Sequence, residues 1–286
     1  MHRTHDISSA EQRVPATDLA LPADGSTFGT PLDLNLVGLW TLYLKEVRRF
    51  MKVGAQTVLA PVITTLVFLA IFALAMHRAE TVIGDLPFLH FLAPGLIMMA
   101  IVQNAFANTS SSLVIAKIQG NIVDYLMPPL GAGELLFGMI MGGITRGVVV
   151  GVAVWISMLP FVALLPEHPL LVAYYIVASS LMLSLLGYLG GLWADKFDQL
   201  AAVTNFVITP LSFLSGTFYS IEALPESLRW IAFANPFFYM IDGIRYAFTG
   251  HADGSVELGM AVLLLVNLGL WVLAYRLMRR GYKLKA

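Results

Sequence analysis

Seven long apolar runs dominate this sequence, and most of them approach the roughly twenty residues that a helix needs to cross a bilayer. They lie at about residues 55–76, 88–112, 135–159, 169–193, 199–219, 231–249 and 257–278. Only 12% of the 286 residues are charged, whereas roughly a quarter are charged in soluble domains. The chain is therefore predicted to be an all-α integral membrane protein.

Basic residues cluster at both ends of the apolar region. Four precede the first run and five follow the last: Lys45, Arg48, Arg49 and Lys52, then Arg276, Arg279, Arg280, Lys283 and Lys285. Because Lys and Arg near span ends favour the cytoplasmic side, both termini are predicted to be cytoplasmic. The number of crossings must then be even, so one of the seven runs should enter and leave the membrane by the same face.

The run at 231–249 is the best candidate for this re-entrant course. Its Asn235-Pro236 pair breaks a helix, because proline lacks an N–H group and disfavours helical geometry in the residue before it. Asp242 and Arg245 lie three residues apart and can pair on one helix face; if this pair is structural, a swapped pair should still fold. The prediction is six transmembrane helices, with a re-entrant helical hairpin at 225–249 that dips in from the outer face between spans five and six.

Residues 36–53 are predicted to form an N-terminal amphipathic interfacial helix, after a flexible cytoplasmic tail at residues 1–33. Its polar residues recur every three or four positions: Thr41, Lys45, Arg48, Arg49 and Lys52. We expect the basic face to meet anionic lipid headgroups at the inner interface. Glu46 has two interpretations, which are pairing with Arg48 or Arg49 nearby and contact with a cytoplasmic partner.

The loop between spans two and three has the features of a docking element. Asp124 is followed by Pro128-Pro129, and Glu134 opens the next span. A proline pair ends a short helix, and an acidic residue favours a helix N-terminus. A short helix held at a sharp turn on the cytoplasmic face could receive a soluble domain, and an ordinary loop is the alternative.

Arg146 is a charged residue inside an apolar run, without an acidic partner in its own helix. A buried pairing, a cluster of carbonyl groups or snorkelling to the inner face would each accommodate it, and contact with a substrate is a further alternative. The scattered Ser, Thr and Asn residues of the spans mostly hold helices together. Gly142, Gly143 and Gly147 permit close approach of neighbouring helices.

Several kinds of chemistry are excluded by missing residues. The chain has no cysteine, and its six histidines show no helical metal-ligand spacing apart from His2 and His5. Neither a G-x-x-x-x-G-K-[ST] phosphate loop nor a G-x-S-x-G elbow nor an H-E-x-x-H helix occurs. We therefore expect no enzyme activity, no metal or cofactor in this chain and no nucleic-acid partner. A membrane subunit that takes its energy from elsewhere is what remains.

Four segments carry a resemblance to a known family: KEVRRFMKVGAQTVLAPVITTLVFLAIF, FLAPGLIMMAIVQNAFANTSSSLVIAK, GNIVDYLMPPLGAGEL and FVITPLSFLSGTFYSIEALPESLRWIAFANPFFYMIDGIRYAF. Together they resemble the permease subunit of type-2 ABC exporters, in the compact bacterial form without a fused ATPase. The resemblance begins near Leu36, so residues 34–286 are predicted to form one type-2 transmembrane domain. The last segment is the most specific, because LSGTFY, Leu-Pro, Asn-Pro and Arg-Tyr occur in the order typical of the family.

The resemblance implies an ATP-driven exporter in the bacterial inner membrane, with two copies of this chain and two copies of a separate ATPase subunit that binds ATP and magnesium. In this family the ATPase contacts the interfacial helix and the loop after span two. Those elements correspond here to Lys45, Glu46, Arg49, Asp124, Pro128, Pro129 and Leu130. The hairpin residues are Asn235, Pro236, Asp242 and Arg245, and the candidates along the substrate path are Asn104, Asn108, Asn205, Thr209 and Phe213.

Two alternatives stay open beside this hypothesis. An ATP-independent secondary transporter would use the same spans with a proton gradient, although the intramembrane acid–base residues are too few for an obvious relay. An intramembrane enzyme acting on lipid would have only Asp242 and Arg245 as its polar pair. Nothing else in the sequence converges with that pair, and a structural ion pair accounts for both residues.

Overall fold

The computed structural model describes residues 35–76, 82–83, 86–126 and 129–283. Its α-helices are α1 Leu36–Met51, α2 Gly54–Met76, α3 Phe88–Ile118, α4 Val123–Leu126, α5 Ala132–Met158, α6 Pro169–Trp193, α7 Phe197–Val203, α8 Thr209–Phe213, α9 Glu226–Ala234, α10 Pro236–Thr249 and α11 Val256–Arg279. A π-helical turn, Thr204–Ile208, joins α7 to α8, and a 3-10 turn, Ile221–Ala223, precedes α9. Two short strands, β1 Val82–Ile83 and β2 Leu86–Pro87, pair antiparallel. The predicted tail at 1–33 and Pro128 lie outside the described residues.

Five helices in the described part of the chain are long and apolar enough to cross a membrane, namely α2, α3, α5, α6 and α11. They fall on the first four predicted spans and on the last, which confirms an all-α membrane protein. With 31 residues α3 is about 46 Å long, and α5 with 27 residues is about 40 Å long. Both exceed the hydrocarbon thickness of roughly 30 Å, so each is long enough to cross even when tilted.

The fifth predicted span, 199–219, differs from a simple helix. The helical conformation stops at Phe213 and is divided into α7, the π-helical turn and α8, with seven, five and five residues. Pro210 has no N–H group to offer the carbonyl four residues before it. The preceding residue, Thr209, instead donates its N–H to the carbonyl oxygen of Thr204, five residues back. The interruption at Pro210 therefore takes the form of a wide turn, and the crossing of this segment stays a prediction.

Helix α3 is the centre of the molecule. It packs against α5, α6 and α10, and most of its length is buried. By contrast α2 and α11 lie at the periphery, with outward-facing apolar side chains such as Leu74 and Leu265, which are 79% and 66% exposed. A membrane-exposed helix needs no polar outer face, so this arrangement suits a lipid environment.

Glycines on α5 allow its neighbours to approach closely. A Cβ atom at Gly142 would lie 2.5 Å from the Cβ of Glu46 on α1, and one at Gly147 would lie 2.7 Å from the Ser180 hydroxyl on α6. At Gly151 a Cβ atom would meet the side chain of Ile101 on α3 at 2.5 Å. Three helices therefore pack against α5 at positions where any larger residue would separate them.

The ends of α3, α6 and α11 meet the start of α5 around α4. Lys117 of α3 donates to the carbonyl oxygen of Ala194 at 3.2 Å. Lys283, which follows α11, donates to the carbonyl oxygen of Trp193 at 2.8 Å and to the Asp195 carboxylate at 2.9 Å. These contacts bring the termini of several helices to one side of the molecule, which we call the α4 end.

Helix α1 lies at the α4 end, lengthwise along the first turns of α5. Gly38 lies beside Leu130, and Leu42 lies beside Gly138. The backbone N–H of Asn35 donates to Glu134 at 2.7 Å, so α1 and α5 begin at the same level. Glu46 of α1 reaches Gly142 of α5, and Tyr43 reaches Thr145, so α1 follows α5 for about half of its length. The interfacial course of α1 stays a prediction.

The predicted hairpin at 225–249 contains two short helices, α9 and α10. They have 9 and 14 residues and are about 14 and 21 Å long, so neither could cross a bilayer alone. Asn235 adopts an extended conformation between them, at the break that the Asn-Pro pair predicts, and its side chain accepts from the Phe237 N–H at 3.0 Å. The re-entrant course itself stays a prediction.

Candidate functional site

The carboxylate of Glu46 is fully buried where α1, α3 and α4 meet. One of its oxygens accepts hydrogen bonds from the Ser112 hydroxyl at 2.7 Å and the Tyr125 hydroxyl at 3.2 Å. The other oxygen accepts from Arg49, with Nη2 at 3.1 Å and Nε at 3.3 Å. We call Glu46, Arg49, Asn108, Ser112 and Tyr125 the Glu46 cluster. It connects three elements that are far apart in sequence.

Arg49 extends this cluster along α3. Its Nη2 donates to the backbone oxygen of Asn108 at 2.7 Å and to the side-chain oxygen of Asn108 at 3.0 Å, and its Nη1 donates to the Ser111 hydroxyl at 3.2 Å. Its side chain is 25% exposed, whereas that of Glu46 is not exposed at all. The buried charge of Glu46 is therefore paired and hydrogen-bonded, as a buried ion must be to persist.

Residues of α1 and α4 also meet at the surface beside the cluster. The ammonium of Lys45 lies 3.5 Å from the centre of the Tyr125 ring, in a cation–π contact. Burial, and then the negative charge of Glu46, raise the pKa of Tyr125 to about 12. Burial lowers the pKa of Lys45, while Glu46 and Asp124 act in the opposite direction. The Tyr125 hydroxyl therefore keeps its proton at neutral pH and can act as a donor to Glu46.

The structure divides the predicted ATPase-contacting residues into two groups. Lys45, Asp124 and Pro129 are exposed, and Arg49 is half-buried. Glu46 and Leu130 are 0% and 3% exposed, because Glu46 packs against Gly142 of α5 and Gly38 of α1 covers Leu130. Contact of these two side chains with a partner stays a prediction. Of the two interpretations of Glu46, pairing with Arg49 is the one observed.

Sequence reasoning missed Ser112 and Tyr125 as members of this site. Ser112 belongs to a Ser-rich stretch that is typical of ordinary helix packing. Tyr125 follows Asp124 in the loop, and a lone aromatic residue in a short apolar helix carries no distinctive pattern. Their partner Glu46 lies 66 and 79 residues away in sequence, so no local spacing could reveal the cluster.

The predicted substrate-path residues separate into two places. Asn104 and Asn108 are buried on α3, and the side-chain oxygen of Asn104 accepts from Arg146 at 3.0 and 3.3 Å. Among the alternatives for Arg146, a buried pairing is therefore the one observed, with a neutral amide as its partner. The remaining three, Asn205, Thr209 and Phe213, lie on the segment from α7 to α8, where Asn205 and Phe213 are exposed. The structure does not bring the two groups together within one chain.

Asp242 and Arg245 connect α10 to its surroundings. Arg245 is completely buried, and it donates to the carbonyl oxygens of Gly216 at 2.6 Å and Phe91 at 3.2 Å. Its Nη1 lies 3.5 Å from a carboxylate oxygen of Asp242, so the predicted pair is present. Asp242 accepts from the backbone N–H groups of Asp253 at 2.8 Å and Gly254 at 2.9 Å.

These contacts alter one expectation from the sequence. A swapped pair would place a guanidinium against the N–H donors that Asp242 now satisfies, and a carboxylate against the carbonyl oxygens that Arg245 now satisfies. Both groups would lose buried hydrogen bonds. We therefore expect the swapped protein to misfold, whether the role of the pair is structural or functional.

The described residues contain no group of side chains that could bind a metal ion. Within 35–76, 82–83, 86–126 and 129–283, no group of three His, Asp or Glu side chains lies close enough to hold a metal ion. The carboxylate oxygens of Glu46 are instead occupied by Ser112, Tyr125 and Arg49. The cluster can transmit displacement between helices, because the bonds from Ser112 and Tyr125 to Glu46 and from Arg49 to Asn108 each join two elements.

Comparisons with known proteins agree with the resemblance seen in the sequence. The family model described as ABC-2 type transporter matches residues 37–249. The chain is 35% identical over 258 residues to the Inner membrane transport permease YadH of Escherichia coli (strain K12), covering 89% of this chain and 100% of that protein. It is 23% identical over 250 residues to the Nodulation protein J of Neorhizobium galegae, covering 86% of this chain and 94% of that protein. The chain belongs to the ABC-2 type transporter family, as a multi-pass membrane subunit.

Proposed function

We propose that this chain is the permease subunit of an ATP-binding cassette exporter, in which two copies form the substrate path and a separate ATPase subunit supplies the energy. The observation that supports this proposal best is the Glu46 cluster. It makes α1, α3 and α4 one hydrogen-bonded unit beneath the surface where a soluble partner would dock. ATP and magnesium would be bound by the partner and not by this chain.

The α4 end is suited to receive that partner. Lys45 and Asp124 are exposed beside each other on α1 and α4, and they present opposite charges. Complementary charges on such a surface orient a bound partner more than they increase its affinity. Pro129 precedes α5 and fixes one backbone dihedral between α4 and α5.

Displacement of α4 would reach the membrane helices by two routes. Tyr125 of α4 bonds to Glu46, which bonds through Arg49 to Asn108 on α3. The second route is covalent, because α4 lies between the end of α3 and the start of α5. A closing motion of two ATPase subunits would therefore act on α1, α3 and α5 together.

The exposed segment from α7 to α8 supports the proposal of a second copy. Phe206 is 81% exposed and Val207 is 48% exposed, beside Asn205 and Phe213. Polar Asn205 is a poor residue to place against lipid, whereas it suits an internal path between two protomers. In this arrangement the hairpin of α9 and α10 caps the exit at the opposite end of the molecule from α4.

The location follows from the same proposal. A relative is named as an inner membrane transport permease, and five helices of this chain can cross a membrane. We place the chain in the bacterial inner membrane with both termini cytoplasmic, as the basic clusters at 45–52 and 276–285 indicate.

Co-expression with candidate ABC ATPase subunits from the same organism tests the proposal. The full-length tagged permease should retain the ATPase in a detergent pull-down, and ATP hydrolysis should be required for export. Asp124→Lys should weaken the complex, because it removes the negative charge of the docking surface. The matched control is Lys52→Glu, which reverses an exposed charge just after the end of α1 and should leave the complex intact.

Two outcomes would contradict the proposal. Absence of any complex with the wild-type permease would show that the ATPase does not drive transport by this chain. Transport that continues without the ATPase and collapses with the proton gradient would support the secondary transporter instead.

A further inference from the structure

Helix α3 is buried over most of its length, yet one line of residues along it is not. Between residues 91 and 114 every position is buried except four, which are Met99, Gln103, Ala107 and Ser111. Residues four apart lie on one side of a helix, so these four form a continuous line that we call the α3 stripe. Gln103 is exposed near the middle of the helix, where an amide that faces lipid would be costly.

Two guanidinium groups border the α3 stripe. Arg49 of α1 donates to Ser111, a member of the stripe, at 3.2 Å and to the side-chain oxygen of Asn108 at 3.0 Å. Arg146 of α5 donates to the side-chain oxygen of Asn104 at 3.0 and 3.3 Å. These three residues of α3 have the i, i+4, i+7 spacing of one helix face. Both guanidinium groups therefore lie along the same edge of the stripe.

The two arginines differ in how their charge is balanced. Arg49 is paired with the Glu46 carboxylate at 3.1 Å, whereas Arg146 forms no ion pair with any Asp or Glu of the described residues. The Nε and Nη2 groups of Arg146 share the oxygen of Asn104, which is neutral, and its Nη1 has no acceptor within the described part of the chain. A half-buried cation in an apolar helix is thus left without a counter-ion, which is rare in membrane proteins.

The surroundings of Arg146 offer further donors and no negative charge. The amide nitrogen of Asn108 is buried without a hydrogen-bond partner among the described residues. It lies beside Gly142, one turn before Arg146, at 3.4 Å from the place of a Cβ atom there. A ligand that suits this place would bring acceptor oxygens and a negative charge. Phosphate and carboxylate groups do so, and they match the planar fork of a guanidinium.

The depth of Arg146 indicates which molecule carries the anion. Asn104 and Arg146 lie near the middle of α3 and α5, two helices long enough to cross the membrane. Phospholipid headgroups lie outside the hydrocarbon layer, at the surfaces of the bilayer. An anion that reaches Arg146 is therefore one that leaves the headgroup layer, as a transported molecule does.

We propose that Arg146 and the α3 stripe bind the anionic group, a phosphate or a carboxylate, of the molecule that this permease exports. This inference rests on the proposed export function, and it names the chemical class of the passenger. The anion is held at the edge of the stripe by Arg146. Met99 and Ala107, the apolar members of the stripe, contact the uncharged part.

Binding of tritiated dodecyl phosphate to the full-length chain tests the site in the absence of an ATPase and of ATP. The tagged chain is placed in phosphatidylcholine nanodiscs and captured on scintillation beads. Wild type should bind dodecyl phosphate about tenfold more tightly than Arg146→Gln, the loss expected for one charge-assisted hydrogen bond. Arg146→Lys keeps the charge without the planar fork and should fall between them. Dodecyltrimethylammonium, which has the same chain and a positive charge, should not distinguish wild type from Arg146→Gln.

The matched control is Arg48→Gln, the same change at an exposed position of α1, which should leave the affinity for dodecyl phosphate unchanged. The Tm of Arg146→Gln should be no lower than that of wild type, because an unbalanced charge is removed and the glutamine amide can still donate to Asn104. Equal affinities for wild type and Arg146→Gln would overturn the proposal. So would a lowered Tm of Arg146→Gln, since the arginine would then be structural.

A second set of nanodiscs, in which half of the phosphatidylcholine is replaced by phosphatidylglycerol, separates the passenger from a membrane lipid. The ratio of affinities between wild type and Arg146→Gln should stay the same, and a ratio that falls to one would show that a lipid headgroup occupies Arg146 and that the proposal is wrong. A chain that binds dodecyl phosphate as expected but forms no ATPase complex would keep the anion site and lose the ATP-driven function. Failure of the site and failure of the proposed function are therefore distinguishable.

Discussion

Removing Arg49 should destabilise the protein more than neutralising its partner Glu46. In Arg49→Met, the Glu46 carboxylate stays fully buried with only the hydroxyls of Ser112 and Tyr125 as donors. Breaking a buried ion pair in this way costs about 3–5 kcal/mol. At about 2–4 °C per kcal/mol, a loss of about 3 kcal/mol lowers the Tm by roughly 6–12 °C.

Glu46→Gln should be far milder. The glutamine oxygen can face Arg49, and its amide can donate to the hydroxyls of Ser112 and Tyr125, which can also accept. Arg49 keeps the two Asn108 oxygens and its 25% exposure to solvent. A loss of about 1 kcal/mol, the usual net value of one hydrogen bond, lowers the Tm by roughly 2–4 °C.

The double variant separates this explanation from a general packing defect. In Glu46→Gln/Arg49→Met no buried charge remains, so the second substitution should cost about 2 kcal/mol less than it does alone. Thermal unfolding of the detergent-purified full chain, followed by fluorescence-detected size exclusion, gives the Tm of each variant. Lys52→Met, a change at the exposed residue that follows α1, should lie within about 0.5 kcal/mol of wild type. Equal losses for the two single variants, or additive losses in the double, would show that the buried charge is not the cause.

Three further predictions concern other parts of the molecule. The pKa of Tyr125 is raised to about 12, so an ultraviolet difference titration against Tyr125→Phe should place its ionisation near pH 12 and not pH 10. The neutral hydroxyl therefore contributes its full stability below pH 10 and loses it as pH rises through 12; a midpoint near 10 would contradict its burial. A methyl group at Gly187 would lie 2.5 Å from the carbonyl oxygen of Phe106, so Gly187→Ala should cost about 1–3 kcal/mol in thermal unfolding, while Gly269→Ala, with open space, should cost nothing. Asn235→Ala removes the cap of α10 and a bond to Leu211, so it should cost at least about 1 kcal/mol, and Asn235→Asp, which keeps the cap, should recover part of that loss.

The elements dictated by the bilayer itself were predictable from the sequence. A helix in lipid must be apolar over about twenty residues, which is why the boundaries of α2 and α6 agree with the predicted spans to within a residue. The Asn235-Pro236 break was equally predictable, because proline restricts the chain locally whatever surrounds it. Both signals are contained in contiguous residues.

The cluster around Glu46 was not predictable in this way. The sequence of α1 places Glu46 among basic residues, which suggests an exposed polar face. Its burial depends on Gly142, whose missing side chain makes room for it, and on hydroxyls from α3 and α4. The partnership of Arg146 and Asn104 is similar, since the two residues are 42 positions apart. In both cases contacts between helices, and not the pattern of neighbouring residues, determine the environment of the charged side chain.

The glycines of α5 have a consequence for how the molecule can move. Interdigitated side chains resist sliding, because knobs must leave one set of holes before entering another. Where α5 meets α1, α3 and α6, the side chains of Glu46, Ile101 and Ser180 fill the notches at Gly142, Gly151 and Gly147. Sliding of α5 past its neighbours, the shear class of conformational change, would have to lift these side chains out of their notches. We therefore expect a displacement of α5 to carry α1, α3 and α6 with it as one body.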